Sequence, residues 1–224
     1  GEIHTGVAVD SLDFKAERAV GVKSVNGLLF TGDAVVSAVP AAAMLRLKPT
    51  KLINSNIFFK AAKYVQTAPI VAIHIWYDRH VMNEPYAAIL DSPLQWVFNE
   101  TMLKSKKDTS QHIVISLSGA WEWKDRPKNE LRSIFVEAMK ESFPLTREAS
   151  IEKFTVVKML DATFRVTPGS RLTRLQQRTP ITNFYLAGDW TDTGWPSTME
   201  SAVRSGNIAA KFIVEDVNSG TLKR

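Results

Sequence analysis

Cysteine is absent from all 224 residues. Its absence excludes disulfides, thiolate nucleophiles and cysteine-bound zinc, and it fits a reducing compartment, so a cytoplasmic location is expected. Histidine is scarce: His4, His74, His80 and His112 fall in no HxxxH or HExxH spacing, and no metal site is expected. Long apolar runs are missing, since none approaches the roughly 20 residues that a membrane span needs. The opening residues do not read as a signal or transit segment. Glycine is sparse, and among the 11 glycines no two lie even two positions apart. A GxGxxG pyrophosphate-binding turn is therefore excluded. Charge of one sign is also in short supply. A formal net charge of +5 describes a solvated surface and gives no reason to expect a nucleic-acid partner.

What is present is ample material for a core. Hydrophobic residues make up 45% of the chain, enough for one large domain or two interleaved ones. The chain opens Gly1-Glu2-Ile3, without a methionine and within strand-like sequence, so an N-terminal part is expected to precede it. Val7, Val9, Val20, Val22, Val25 and Leu28 read as β-structure, with Asn26-Gly27 as a tight turn. The run from Asp33 to Val39 is nearly continuous and apolar, as in a strand buried on both faces of a parallel sheet. Pro40 then opens a short helix from Ala41 to Leu47. In the middle section, Ile70 to Tyr77, Ile113 to Leu117 and Ile151 to Met159 read as strands. Two shorter ones flank the turn Asp91-Ser92-Pro93. Lys104 to Asp108 reads as an exposed polar loop. Leu131, Ile134, Phe135, Ala138, Met139 and Phe143 recur at helical spacing between Pro127 and Pro144. Trp121-Glu122-Trp123-Lys124 reads as a packed strand end.

Near the end, Phe184 to Ala187 is a second buried run. It leads through Gly188-Asp189 to a helix from Ser197 to Val214, with Met199, Ala202, Val203, Gly206, Ala210 and Ile213 as its inward stripe. Ser197 and Glu200 have the spacing of a capping box. The first and last sections thus read as pieces of one buried α/β sheet, and the middle as an insertion. The expected organisation is residues 1–47 and 180–217 in one domain, 48–179 in a second, and 218–224 as a frayed tail.

The segment from Phe184 to Gly206 carries the most chemistry. Gly188 allows a ligand close to the backbone. Asp189 sits at the carboxyl end of a strand, where open α/β sheets bind ligands, and its carboxylate can accept bonds from sugar or ribityl hydroxyls. The helix start near Thr198 offers free N–H groups and a positive dipole end. A capped helix packed on a sheet would use the same residues, and spacing alone does not separate the two readings. Asp161 and Asp192 are candidate general acids, for which solvated or capping roles are the stronger expectation. His74, on an apolar strand, reads as a core histidine.

This segment closely resembles the C-terminal FAD signature of the flavin amine oxidase and carotenoid desaturase superfamily. The resemblance extends over almost the whole chain through Thr5-Gly-Val-Ala-Val9 and Asp33-Ala-Val-Val-Ser-Ala-Val-Pro40. It is closest to bacterial hydroxysqualene dehydroxylases, also described as squalene-associated FAD-dependent desaturases. The segments that point there are Trp76-Tyr-Asp-Arg79, Leu90-Asp-Ser-Pro-Leu-Gln-Trp96, Ala162-Thr-Phe-Arg-Val-Thr-Pro-Gly169 and Gly188-Asp-Trp-Thr-Asp-Thr-Gly-Trp-Pro196.

The resemblance implies a partial Rossmann-like FAD-binding domain, α/β in class, that lacks its GxGxxG unit and carries an inserted α+β substrate lobe. It implies that Gly188 and Asp189 meet the ribityl chain, Thr198 and Met199 the pyrimidine side of the flavin ring, Val9 the adenine, and Pro40 the end of the strand that runs up to FAD. It implies a long isoprenoid substrate, replacement of the hydroxyl of hydroxysqualene by hydrogen with hydride from reduced flavin, and peripheral contact with the inner membrane, for which the Lys104 to Lys107 loop is a candidate. Ile73, Ile75, Trp76, Leu90, Trp96 and Phe98 are candidate walls of the apolar cavity. A carotenoid desaturase is the alternative. An amine oxidase is less well matched, because Thr198 stands where those enzymes place an aromatic cage wall. Without the pyrophosphate turn, the isolated chain is expected to hold FAD poorly.

Overall fold

In a computed structural model of the protein, residues 1–15, 17–48, 53, 55–105 and 109–222 are described. The strands in chain order are β1 (Val9–Lys15), β2 (Arg18–Ser24), β3 (Leu29–Thr31), β4 (Val35–Ser37), β5 (Thr67–Tyr77), β6 (Tyr86–Ile89), β7 (Gln95–Asn99), β8 (Gln111–Ser118), β9 (Ile151–Phe164) and β10 (Phe184–Leu186). The α-helices are α1 (Ala41–Met44), α2 (Ile57–Lys60), α3 (Glu100–Leu103), α4 (Lys128–Ser142) and α5 (Met199–Asn218). The chain is of mixed α/β class, as expected. It divides into two compact units, one of Gly1–Gln66 with Phe164–Arg224 and one of Thr67–Thr163.

In the first unit, β1, β2 and β3 form an antiparallel meander. Its second turn follows Ser24, with Gly27 at φ +81° and Leu28 N donating to Ser24 Oγ at 3.0 Å. Residues 5–8 lie before the strand, which begins only at Val9. The two apolar runs pair as parallel strands, Val35 opposite Phe184 and Ser37 opposite Leu186. β10 is buried along its length, but β4 is buried only at Val35 and Ser37, and Val36 and Val39 are exposed. The expected two-sided burial is thus realised for β10 alone. The helix after Pro40 is one turn long, because the amides of Arg46 and Leu47 reach only to the third carbonyl back.

The domain boundaries also differ from the expected ones. Ile53, Phe59 and Ala62 on one flank, and Phe164, Leu175 and Ile181 on the other, are buried in the core of the first unit together with Met44, Phe184 and Trp190. The inserted unit is correspondingly smaller. The end of the chain is no simple tail either: α5 runs to Asn218, and Leu222 folds back, buried, with its amide bonded to Asp216 O at 2.9 Å.

The second unit is a five-stranded sheet in the order β6-β7-β8-β5-β9. Alternation decides its faces. Val71, Ile73, Ile75 and Tyr77 on β5, with Ile113, Ile115 and Leu117 on β8, are fully buried against Leu131, Phe135, Ala138 and Met139 of α4. Each such side chain contributes about 1.5–3 kcal/mol by leaving water. Pro127 caps α4 and Pro144 begins a 3-10 turn immediately after it. The residues from Trp121 to Asp125 form turns, not a strand end, with the Trp123 ring edge-on to Phe135 at 5.1 Å and Arg126 over Trp123 at 4.9 Å. Of the polar loop, residues 106–108 lie outside the described residues. Among the described residues, no helix is long and apolar enough to cross a membrane, and no cluster of His, Asp or Glu could hold a metal ion.

Candidate functional site

The site is built where β4 and β10 end. Val35 N bonds to Asn183 O and Ala187 N to Ser37 O, both at 2.9 Å, so the parallel ladder runs on to the residue before Gly188. The other edge of β10 is taken by the segment before it, through Leu186 N to Gln177 O at 2.8 Å. Gly188 then turns the chain at φ +127°, and a Cβ there would lie 2.9 Å from the Trp190 indole. Backbone conformation and space both require glycine at this point. Trp190 is buried, and its Nε1 donates to Val39 O at 3.0 Å, which fixes the turn beside Pro40. Gly188 N donates to Ser205 Oγ at 2.7 Å, which fixes it to α5.

Asp189 and the start of α5 meet through the loop from residue 189 to residue 198. Ser197 Oγ donates to Asp189 Oδ2. The helix cap is Thr198, whose Oγ1 accepts from Ser201 N at 3.4 Å, and Glu200 pairs with Arg204 at 2.7 Å. This corrects the expected capping box: the Ser197 hydroxyl is committed to Asp189, and the cap lies one residue later. The inward stripe of α5 is also corrected. Ser201, Ser205, Ala209 and Asp216 are buried, whereas Met199 is 89% and Val203 62% exposed. Polar partners explain the reversal. Ser205 meets the Gly188 amide, Ser201 meets Thr193 Oγ1 at 2.7 Å, and Asp216 accepts from Tyr185 Oη at 2.7 Å and Arg178 Nε at 3.1 Å. Burial, then the Asp216 bond, pushes the Tyr185 phenol above its ordinary range.

Arg174 braces the same loop from below. Its Nη1 donates to Trp195 O at 2.7 Å, and its Nη2 to Asp189 O at 2.8 Å and Ser201 Oγ at 3.2 Å. Burial lowers its pKa, opposed by the charges of Asp192 and Asp189, but a guanidinium stays protonated throughout. Arg204 lies over the Trp195 ring at 4.1 Å, a cation–π contact.

Along β4 lies a cavity of about 500 Å³, bordered by Val9, Val22, Val36, Ser37, Val39 and Arg46 among others. Ser37 Oγ, on the buried face of β4, has no hydrogen-bond partner. Of the residues expected at the site, Pro40, Gly188, Asp189, Thr198 and Met199 stand at the strand ends or the helix start, and Val9 borders the cavity. Asp192 is tied locally: its carboxylate accepts from Gly194 N at 3.2 Å and Gln176 Nε2 at 3.1 Å. Asp161 belongs to the other unit and accepts from Thr67 Oγ1 at 2.6 Å. Sequence reasoning did not single out Ser37, Arg174, Ser201 or Ser205. The spacing of Ser197, Ser201 and Ser205 hints at the two helical serines, and nothing in the sequence marks Ser37 or Arg174.

In the second unit, the sheet face away from α4 carries Trp76, His74, His112, Phe98, Trp96 and Tyr86. Trp76 and His112 stack at 4.1 Å and 5°, and Trp96 and Phe98 at 6.1 Å. Tyr86, Trp96, Phe98, Ser116 and Ser118 line a hollow of about 390 Å³. Of the expected wall residues, Ile73 and Ile75 are instead in the core, Trp76, Trp96 and Phe98 are on this face, and Leu90 is 85% exposed in a turn.

A glycine turn, an acidic residue and a helix start, together at the carboxyl ends of parallel strands, define a cofactor-binding α/β protein. The comparisons make this specific. The sequence profile of the flavin containing amine oxidoreductases matches residues 1–214, and the chain belongs to that family. It is 28% identical over 226 residues to a 15-cis-phytoene desaturase from an Oncidium hybrid cultivar, covering 96% of this chain and 39% of the relative. It is also 28% identical over 187 residues to hydroxysqualene dehydroxylase from Sinorhizobium fredii, covering 84% and 40%. The crystal structure of an oxidoreductase from Methanosarcina mazei shares the fold at a TM-score of 0.70 and 18% identity, over 96% of this chain and 50% of that one. The chain thus spans less than half the length of these curated relatives. The superfamily expected from the motifs is borne out. A special closeness to hydroxysqualene dehydroxylases is not, since a phytoene desaturase matches at the same identity over more of the chain.

The residues present fit the family's flavin. The Asp189 carboxylate, half-buried after β10, stands beside the start of α5, whose first turn keeps the N–H groups that a helix cannot satisfy itself.

Proposed function

We propose that this chain supplies the ribityl- and ring-facing half of an FAD site in an oxidoreductase that acts on a long isoprenoid. The observation that carries the reading is the Gly188-Asp189 turn held between β10 and α5, within a chain of the flavin family. Asp189 would accept hydrogen bonds from ribityl hydroxyls. The backbone N–H groups at Met199, behind the Thr198 cap, would face the pyrimidine edge, where the positive helix end favours electron-rich oxygens. Val9 and Pro40 would border the β4 side. Bound flavin would supply hydride transfer, and the protein would orient the substrate and exclude water.

The aromatic sheet face of the second unit supports an apolar substrate. Trp96, Phe98 and Tyr86 offer wide contact area without an ionised acid among them. Reductive dehydroxylation of hydroxysqualene to squalene is the reaction we favour, on the four segments that resemble those enzymes. Desaturation of a carotenoid precursor is the second reading, favoured by the phytoene desaturase match that covers 96% of the chain. Thr198, standing where amine oxidases place an aromatic cage wall, speaks against small amines and leaves a long isoprenoid as the substrate class. Such a substrate would bring the protein to a membrane surface, where each lysine or arginine near an anionic leaflet contributes about 1 kcal/mol. The test supplies the flavin-loaded protein with hydroxysqualene and a reductant, or with phytoene and an oxidant. Squalene as product supports the first reading and a desaturated polyene the second. Oxidation of small amines with neither isoprenoid turned over overturns both.

A further inference from the structure

We infer that Arg174 is a positioning residue that sets both ends of the loop between Asp189 and Trp195, and through it the cofactor-facing geometry of the site. The inference rests on the flavin reading for its functional consequence but on the loop geometry for its substance. One guanidinium bridges two carbonyls that are separated in sequence, Asp189 O at 2.8 Å and Trp195 O at 2.7 Å. Its third contact, Ser201 Oγ at 3.2 Å, belongs to the first turn of α5. The strand end, the loop end and the helix start are therefore referred to one rigid planar fork.

Other bonds hold the middle of the loop, Asp192 N to Leu175 O at 2.8 Å, Gln177 Nε2 to Asp192 O at 2.9 Å and Thr193 Oγ1 with Ser201 Oγ at 2.7 Å, and Arg174 adds the link between its two ends. Trp195 and Pro196 are exposed, and Ser197 reaches back only to Asp189. Arg174 itself is fixed by its neighbours. It follows the 3-10 turn at Ser170–Thr173, lies over the Phe164 ring at 5.9 Å, and keeps its Nε buried and unpartnered. Burying a guanidinium with one N–H unsatisfied is costly, and the two carbonyl bonds offset that cost. A lysine at this position keeps the charge but has one nitrogen and no planar fork, so it cannot hold both carbonyls in the same geometry. Holding the Asp189 carbonyl toward Arg174 fixes the backbone from which the carboxylate departs, and Ser197 Oγ then holds the carboxylate itself.

The test compares Arg174→Lys and Arg174→Ala with the parent in the flavin-loaded protein. Three quantities are read: amide exchange of the 189–199 segment, FAD affinity, and the melting temperature. For Arg174→Lys the expected result is exchange faster by about tenfold in that segment and FAD affinity weaker by about tenfold, as for one lost charge-assisted bond, with melting close to the parent. The lysine variant decides the matter if the alanine variant does not fold. Wild-type exchange in 189–199 in the lysine variant would overturn the inference, as would a loss of melting temperature that accounts for all of the exchange change. The exchange arm needs no flavin. The exchange result therefore decides on Arg174 whether or not the parent holds FAD, and FAD affinity left unchanged by Arg174→Lys would refute the functional consequence alone.

Discussion

The two units bury their apolar residues to different degrees. The inserted unit closes its core: one sheet face is covered by α4, and seventeen residues are buried in one cluster. Both units leave apolar residues at the surface, the inserted one at Leu90, Trp96, Met159 and Leu160, but in the first unit such residues take the place of a buried apolar helix face. The first unit's core forms around Phe184 and Met44. Its exposed apolar residues include Val36 and Val39 on β4 and Met199, Val203, Val214 and Val217 on α5. The buried side of α5 is instead made of serines, an alanine and Asp216. Apolar burial dominates the inserted unit, where the buried amides of Gln111 and Asn99 tie down the Val81–Met82 backbone. In the first, hydrogen bonds between α5, β10 and the Gly188 turn fix the geometry that matters for a cofactor, and such bonds contribute less net stability than area does.

If that contrast holds, damage to one unit is local. Phe135→Ala should destabilise the inserted unit by about 3–5 kcal/mol, through the lost ring and the cavity it leaves. Hydrogen exchange should show the loss in β5 and β8 while the amides of residues 184–187 keep their protection. Simultaneous loss in both would mean that they unfold as one. A somewhat smaller effect is expected from the cofactor. FAD at a hundred times its dissociation constant should stabilise the first unit by about 2.7 kcal/mol, read as slower exchange at residues 184–205 with none in β8. Asp189→Ala should remove about 1.5–3 kcal/mol of FAD affinity, measured by quenching of flavin fluorescence, without altering the melting of the inserted unit.

The smallest effect concerns pH. Burial pushes His74 below the ordinary imidazole value of about 6.5, opposed by Glu100 and assisted by Lys104. The unfolded chain then takes up a proton that the folded one resists. Stability is full above about pH 6.5 and declines as pH falls through it toward the lower folded value. His74→Gln should flatten that decline, as seen in melting curves of the inserted unit over a pH series. An unchanged slope would assign the acid sensitivity elsewhere.

The sequence revealed the architecture where period and composition agree with burial. α4 could be read because its apolar spacing and its flanking prolines point the same way. β4 and β10 could be read because each lies in a short apolar run that suits a parallel strand, one closed by Pro40 and the other by Gly188-Asp189. The same logic misread α5, where the apolar stripe faces outward and the buried stripe is polar but satisfied. No rule based on hydrophobic period finds Ser201 or Ser205, since their burial depends on partners distant in sequence. The boundaries shifted for a related reason: Phe59 and Phe164 flank the insertion but are buried in the first unit's core, and short 3-10 and helical turns leave little pattern to read. Arg174 was invisible, because its partners are backbone carbonyls, which every sequence contains.

The pairing of Val35 with Phe184 has a consequence for how the chain reaches its native state. A contact between residues so far apart must wait until the intervening chain has been made and brought to order, and non-local parallel pairing is slow. The insertion shortens that wait. β5 and β9 are neighbours in its sheet, and Thr67 bonds to Asp161 at 2.6 Å. Once the insertion has folded, its two ends are side by side, and the long loop between β4 and β10 is in effect replaced by its short flanks. Closure entropy grows only with the logarithm of loop length, so the gain is modest in free energy. The expected order of events is then insertion first and Gly188 turn late, which pulse-labelled hydrogen exchange during refolding would read as protection in β5 and β8 before residues 184–188.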